Sequence, residues 1–392
     1  MISVENALNL VQTHSKTLAA VPVALELAHQ HVLAKDAYAP IAMPPFRQAA
    51  MDGYALHGDQ RDTYHIIGEV KAGDADHYQL HPGEAVRIFT GAKVPDSANT
   101  VVMQEQTSRT LNQITLQVPV HNHQNIREIG EQITKGTIAL PKGTKLNAAS
   151  IGFLAGLGIA EVWIYPSPKV GIVITGNELV APGETLTAGK IYESNYLQLA
   201  TALQQLNLKT ITKYVVKDDY QSTKDQLKTA LAMNDIVLVS GGISVGDYDY
   251  VGRALKALGT REVFFKIKQK PGKPLFFGMH HKTPVFALPG NPASSLTCFY
   301  IYAIPLLNKM MGISPEGLHY VKKKLLNAYS KKGDRAQFLK ALVTKDKVSI
   351  LEGQSSAMLR TYAIANALVY FSENNSGANQ NELVTTILLP TI

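Results

Sequence analysis

Apolar residues recur at helical spacing in only parts of this chain, and the stretches where they do not are equally informative. Val4, Ala7, Leu8 and Val11 fall on one face behind Ser3, a residue type that caps helices, so the chain opens on an amphipathic helix. From residue 39 to about 140 the texture changes. Short apolar runs at 64–70, 85–89, 100–104 and 114–120 alternate with Gly, Pro, Asn and Asp, the pattern of a small β-rich unit. A glycine-rich apolar stretch, GFLAGLGIAEVWIYP, follows, and Pro166 with Pro168 marks a boundary.

After Lys169, strand and helix patterns alternate. Strands are expected at 170–175, 210–216, 235–240 and 285–288, and helices at 196–206, 222–233, 250–258 and after Pro292. Ser194 or Asn195 would cap the first of these helices, and Ser222 with Asp225 has capping-box spacing for the second. Such alternation argues for a doubly wound, mostly parallel sheet. Beyond about residue 319 short strands return at 341–344, 367–371 and 384–389, with SENNSGANQNE as a hairpin loop between the last two. A small β domain therefore closes a multidomain α/β chain.

Composition narrows the classes. The 392 residues are 45% hydrophobic and 18% charged, as in a folded soluble protein. The net charge of +7 suits an anionic small ligand and is too mild to imply nucleic acid. One cysteine, Cys298, excludes an internal disulfide framework and a cysteine-based zinc or iron–sulfur site. The first ten residues carry Glu5 and no Lys or Arg, unlike a secretory signal. The longest weakly polar run, 148–160, contains Ser150 and Gly residues and stops at Glu161, whereas a membrane span needs about 20 apolar residues. A cytoplasmic protein with no membrane or nucleic-acid partner is expected.

Four segments could carry chemistry. In VLVSGGISVGDYDYV a strand runs into Gly241, Gly242 and Gly246, with Ser244 between them and Asp247 and Asp249 behind, which would make an anion nest at a strand's C-terminal end. Residues 242–246 also match G-x-S-x-G, the nucleophile elbow of Ser-dependent α/β-hydrolases, but the following helix is delayed and His280 and His281 have no obvious acid partner. In FFKIKQKPGKP, Lys266, Lys268 and Lys270 alternate along an expected strand and would share a face, with Lys273 in the turn after them. They suit phosphate or another oxyanion, and equally a solvated edge. In FALPGNPASSLTCFY, Pro289, Asn291 and Pro292 lead into a helix whose first N–H groups would form a second anion site, with Cys298 packed on that helix. Taken singly, Asp52, Glu178, Asp247 and Asp249 read as ordinary loop carboxylates; together with a phosphate they could ligate Mg²⁺.

In order and spacing, the segments AMDGYA, IFTGA, GEQITKG, VITGNEL, GETLTAGKIYESN, SGGISVGDYDYV, KPGKP, LPGNPASS and GQSSAMLRTYAIANAL resemble the molybdopterin molybdenumtransferase (MoeA and gephyrin E-domain) family. The resemblance runs nearly end to end. It implies a helical part from 1–43 and 140–166, an inserted β-rich part at 44–139, a doubly wound molybdopterin-binding part at 167–318 and a C-terminal β-barrel-like part at 319–392. It further implies a homodimer with a site shared between chains, which inserts molybdenum from molybdate into adenylylated molybdopterin with Mg²⁺ and releases AMP. An adenylyltransferase would act upstream and molybdoenzymes downstream. The catalytic candidates are then Asp52, Glu178, Asp249, Lys266 and Lys270, with Glu178 and Asp249 on the metal. Thr90, Gly241, Gly242, Ser244, Gly246, Asp247, Lys273, Pro289, Asn291, Pro292, Arg335 and Ser356 would bind substrate. Asp218-Asp219 leaves the register of one further acid open. Three departures stand out: Asn177 and Gln132 replace acids usual in the family, removing negative charge near the metal, and Arg47-Gln48-Ala49 precedes AMDGYA in place of Asp-Asn-Ser. A pterin-binding scaffold without turnover, or the adenylyltransferase itself, are the alternative functions.

Overall fold

The run VGIVIT at Val170–Thr175 is apolar at every position but its last and buried throughout, which suits a strand covered on both faces. In the computed structural model, which describes residues 1–58, 61–74, 78–243, 250–313 and 317–390, it lies inside a six-stranded sheet. The sheet order is Ile211–Val216, Val170–Thr175, Ile236–Ser240, Thr283–Leu288, Phe276–His280 and Arg261–Phe265. The first four strands are parallel. The last two form an antiparallel edge.

Alternate residues of one strand feed opposite layers. Ile172 and Ile174 pack with Leu199 and Leu203 of helix Asn195–Gln205, while Val173 packs with Leu227 and Ala230 of helix Tyr220–Met233 and Val251 of helix Tyr250–Ala257. The doubly wound expectation is met. The opening helix is also as expected: it spans Val4–His14, and the Ser3 hydroxyl accepts from Asn6 N at 3.1 Å. The second cap differs. The helix starts two residues earlier than expected, at Tyr220, and Asp219 rather than Ser222 caps it by accepting from Ser222 N at 2.8 Å.

The lysine segment is not one strand. Strand Arg261–Phe265 ends before Lys266, whose φ of 69° breaks the extended run; Ile267 makes a lone bridge to Ile2, and the next strand is only Gln269–Lys270. That piece pairs in parallel with Ala336–Gln337 of the C-terminal unit's long strand Ala336–Thr344. Ile267 and Gln269 point into the core and are fully buried, so the side-chain alternation survives although the strand does not. Lys268 lies 3.5 Å from Asp334 and 3.8 Å from Glu373 and is thereby spoken for.

The C-terminal strands close on themselves. Ala336–Thr344 pairs with both Lys347–Ile350 and Ala367–Phe371, and Tyr320–Leu325 and Leu383–Leu388 complete a ring of five. Lys322, Lys323 and Lys324 lie on strand Tyr320–Leu325, where Lys322 bonds Thr385 and Lys323 bonds a main-chain carbonyl.

By contacts the chain divides into two units: one of Met1–Val21, Gln30–Ala34 and Ile164–Ile392, the other of Pro22–His29 and Lys35–Trp163. The second unit holds a largely antiparallel sheet containing Gly53–Leu56, Thr63–Val70, Glu84–Ile88 and Thr100–Met103; the last three answer to expected runs, and Gly53–Leu56 does not. Its helix Ala148–Gly156, capped by Asn147, falls in the glycine-rich stretch and has no sequence periodicity to announce it, because it is apolar all round. Among the described residues no helix is long and apolar enough to cross a membrane.

Candidate functional site

Sheet order reverses between Val170–Thr175 and Ile236–Ser240, since the chain leaves these two neighbours in opposite directions. Open α/β sheets bind ligands at such a point, beyond the strands' C-terminal ends. A cavity of about 870 Å³ sits there. It is lined by Thr175, Gly176 and Glu178 after one strand, by Asp218 after the next, by Ser240, Gly241 and Gly242 after the third, and by Pro289, Gly290, Asn291 and Pro292 after the fourth. Glu193, Ser194 and Asn195 complete the wall from the start of the helix that follows.

Backbone shape decides the glycine pair. Gly241 and Gly242 have φ of 92° and 65°, which side chains disfavour. A Cβ would also lie 2.8 Å from Thr175 O in the first case and 2.6 Å from Val251 Cγ2 in the second. Ser244, Gly246, Asp247 and Asp249, which follow in sequence, lie outside the described residues.

Amides hold the strand ends in register. Asn195 Nδ2 donates to Ser240 Oγ at 2.7 Å and to Gly290 O at 2.8 Å, tying two strand ends to one helix start. Gln198 Nε2 donates to Asn195 Oδ1 and to Pro292 O. Asp218 accepts from Thr175 Oγ1 at 3.0 Å and from Asn177 N at 2.8 Å, and its own N–H donates to Asn177 Oδ1 at 3.1 Å. The open register of the double acid is settled by these contacts: Asp218 faces the cavity and Asp219 is spent on its helix cap.

Several expected residues take other places. The helix after Asn291 spans Pro292–Cys298, and its first turn is partly engaged: Pro292 has no N–H, Ser294 N donates to Ser356 O and Ser295 N to Asn291 O. Ser356 does reach the cavity's edge, where its hydroxyl accepts from Asn291 Nδ2 at 3.1 Å. Lys266, Lys270, Lys273 and Arg335 do not line the cavity. Lys270 and Lys273 are exposed on the turn that carries Pro274 to the wall, and Arg335 immediately precedes the strand that pairs with Gln269–Lys270.

That turn rests on a buried polar knot that its sequence did not announce. Gln269 Nε2 donates to Pro271 O at 3.0 Å and to Gly272 O at 3.3 Å, and the Tyr302 hydroxyl donates to Gln269 Oε1. Cys298 packs beneath, fully buried, and burial pushes its thiol well above the ordinary range. His280 and His281, the histidines a hydrolase would need, sit at a hairpin end with rings 4.6 Å apart, and among the described residues neither pairs with a carboxylate.

In the other unit the AMDGYA and IFTGA segments meet. Asp52 Oδ1 accepts from Thr90 N at 2.7 Å and from Thr90 Oγ1 at 2.6 Å. Those bonds, the hydroxyl's foremost, hold the Asp52 carboxyl below its usual range. Arg47, one of the departures, has a structural task there: its guanidinium donates to Ala98 O at 2.7 Å and pins the 95–98 turn. Among the described residues no three His, Cys, Asp or Glu side chains cluster as a metal site.

Comparison with known proteins agrees with this architecture. Residues 2–158 match the MoeA N-terminal region (domain I and II), 171–309 a probable molybdopterin binding domain, and 322–389 the MoeA C-terminal region (domain IV). A molybdopterin molybdenumtransferase of Staphylococcus aureus (strain MRSA252) is 30% identical over 399 aligned positions, covering 99% of this chain and 95% of that protein. One of Haemophilus influenzae is 37% identical over 318, covering 78% of each. The crystal structure of a molybdopterin biosynthesis MoeA protein from Pyrococcus horikoshii superposes with a TM-score of 0.85 at 30% identity, covering 99% of both chains. With a matching five-strand barrel, a doubly wound domain and end-to-end similarity, this chain belongs to the molybdopterin molybdenumtransferase (MoeA) family.

Proposed function

We propose that the chain transfers molybdenum from molybdate to adenylylated molybdopterin, releasing AMP and giving molybdenum cofactor. The observation that carries this reading is the cavity of about 870 Å³ at the switch point, large enough for a pterin nucleotide and floored by the Gly241-Gly242 turn. The relatives' name, molybdopterin molybdenumtransferase, supports the transfer of molybdenum to molybdopterin.

The nucleophiles belong to the substrate. The chain's single thiol is sealed under Gly272, and the dithiolene sulfurs of molybdopterin supply the metal's ligands instead. What the protein contributes is binding, orientation and charge compensation. The described lining carries three carboxylates, Glu178, Glu193 and Asp218, and no Lys or Arg. A phosphate ester and an oxyanion entering such a wall need a cation, and all-oxygen donors suit Mg²⁺. We assign Glu178 and Asp249 to that ion, which when bound would neutralise charge on phosphate and molybdate. Lys266, Lys270, Lys273 and Arg335, which stand off the wall, would meet the outer oxygens of bound substrate. We further propose a homodimer in which Asp52 and Thr90 of one chain complete the site of the other.

AMP release on adding molybdate to enzyme-bound adenylyl-molybdopterin tests the reaction. Molybdate-dependent AMP supports it; binding without AMP would identify a scaffold, and ATP consumption with molybdopterin an adenylyltransferase. The shared site has its own test. If Asp52→Asn and Glu178→Gln each abolish turnover and still dimerise, mixed dimers would carry both lesions in one site and leave the other intact. Random exchange makes about half the dimers mixed, so roughly a quarter of activity returns. No recovery, with exchange verified, would refute sharing.

A further inference from the structure

Lys340 lies on strand Ala336–Thr344 and is 2% exposed. Its Nζ donates to Gly353 O at 2.8 Å, Met358 O at 3.1 Å and Ser355 O at 3.2 Å, which uses all three ammonium protons. Among the described residues no carboxylate forms an ion pair with it. Burial lowers its pKa, so the charge is kept at a cost. Core packing alone would be served as well by an apolar side chain of similar volume. Gln354 reinforces the attachment, accepting from Lys340 N and donating to Lys340 O, both at 2.9 Å.

The loop held in this way has a second face. Between the clamped carbonyls of Ser355 and Met358 stand Ser356, bonded to Asn291 Nδ2 and Ser294 N, and Ala357, which lines the cavity. We propose that Lys340 is a positioning residue: its buried ammonium gathers the 353–358 loop so that Ser356 meets Asn291 at the cavity's edge. The inference rests on the reading of that cavity as the substrate site.

Kinetics of AMP release with each substrate varied in turn, on Lys340→Met, Ser356→Ala and the double variant, provide the test. Ser356→Ala should raise the KM of the substrate it touches by about tenfold, as one lost hydrogen bond to a charged group would. Lys340→Met should raise the same KM by a similar factor, with kcat within about twofold. The double variant should be no worse than Lys340→Met, because both lesions remove one contact. Lys340→Arg, which keeps charge and donors, should recover part of the loss. Multiplying effects, or a KM raised for the other substrate only, would overturn the proposal. Native-state amide exchange over 353–358 reads the clamp without turnover. Faster exchange there in Lys340→Met than in wild type, with Lys340→Arg between the two, supports the clamp, and unchanged exchange in Lys340→Met refutes it. Should wild type itself release no AMP, the function reading fails, and the exchange experiment alone decides the clamp.

Discussion

Removing the Tyr302 hydroxyl should destabilise the unit that carries the cavity, by an amount that depends on what stands opposite. Tyr302 and Gln269 are both fully buried. Tyr302→Phe keeps the ring and its packing, so the loss is one buried hydrogen bond and the stranding of Gln269 Oε1, together about 1–3 kcal/mol. Gln269→Leu is close to isosteric but strands more: the Tyr302 hydroxyl loses its acceptor, and Pro271 O and Gly272 O lose their donor. About 2–5 kcal/mol is expected, the lower end if the turn relaxes outward and finds water. In the double variant a leucine faces a phenylalanine, and neither end of the Tyr–Gln bond is left unpaired. The pair should therefore cost about 1–3 kcal/mol less than the sum of the singles. Urea unfolding followed by far-UV circular dichroism measures this. Tryptophan fluorescence would mislead, because the single tryptophan, Trp163, belongs to the other unit. Additive losses would mean that the hydroxyl and the amide do not depend on one another, and the knot would not be the support of the Pro-Gly-Lys-Pro turn.

Three further outcomes follow from single contacts. Thr90→Ala removes the stronger of the two bonds that depress the Asp52 carboxyl, so its titration midpoint, followed by NMR, should rise toward the ordinary carboxylate value. By sign, a depressed pKa gives stability that is present above the unfolded value and lost as pH falls through the folded one; in Thr90→Ala that contribution should be smaller and its loss complete at a higher pH. Cys298 should resist thiol reagents at pH 8 in the native protein and react fully in urea, since burial both hides the thiol and raises its pKa; native labelling at the unfolded rate would contradict the packing. Gly272→Ala places a Cβ 2.4 Å from Cys298 Sγ at a φ of 83°, and should cost about 2–4 kcal/mol by thermal unfolding, partly relieved by a second change, Cys298→Ala. No loss in the single variant would refute the close contact.

The central sheet was legible because its strands are apolar on both faces while the helices between them keep a 3.6-residue period. The antiparallel edge was not. FFKIKQK alternates like one strand, and nothing local announces that Lys266, with a Cβ, turns into the left-handed region. Gly241, Gly242 and Asn291 could be placed in turns beyond strand ends because turn residues mark themselves, whereas Glu178 and Ser356 stood out only through the family resemblance. The supports could not. Asn195 acts on Gly290, 95 positions away, and Gln269 on Tyr302, 33 away, and an amide in sequence carries no trace of which distant carbonyl it will meet. Asp218 and Asp219 are indistinguishable until the helix start is fixed; the one that caps the helix is thereby taken out of the cavity.

The preference for amides in this framework has a physical reason. Asn195 faces a hydroxyl and a carbonyl with its nitrogen and accepts from Gln198 with its oxygen, so it joins three elements without adding charge. A carboxylate there would point an acceptor at Gly290 O and add to a wall that already holds Glu178, Glu193 and Asp218. Asn177 follows the same logic. Its Oδ1 accepts from Asp218 N as an aspartate oxygen would, so the hydrogen bond that shapes the strand end is kept. What the amide removes is one negative charge beside Asp218, where a second carboxylate would repel the first. The wall thus retains its geometry with less self-repulsion, and a cation at Glu178 would act in a less negative field than the family's usual aspartate provides.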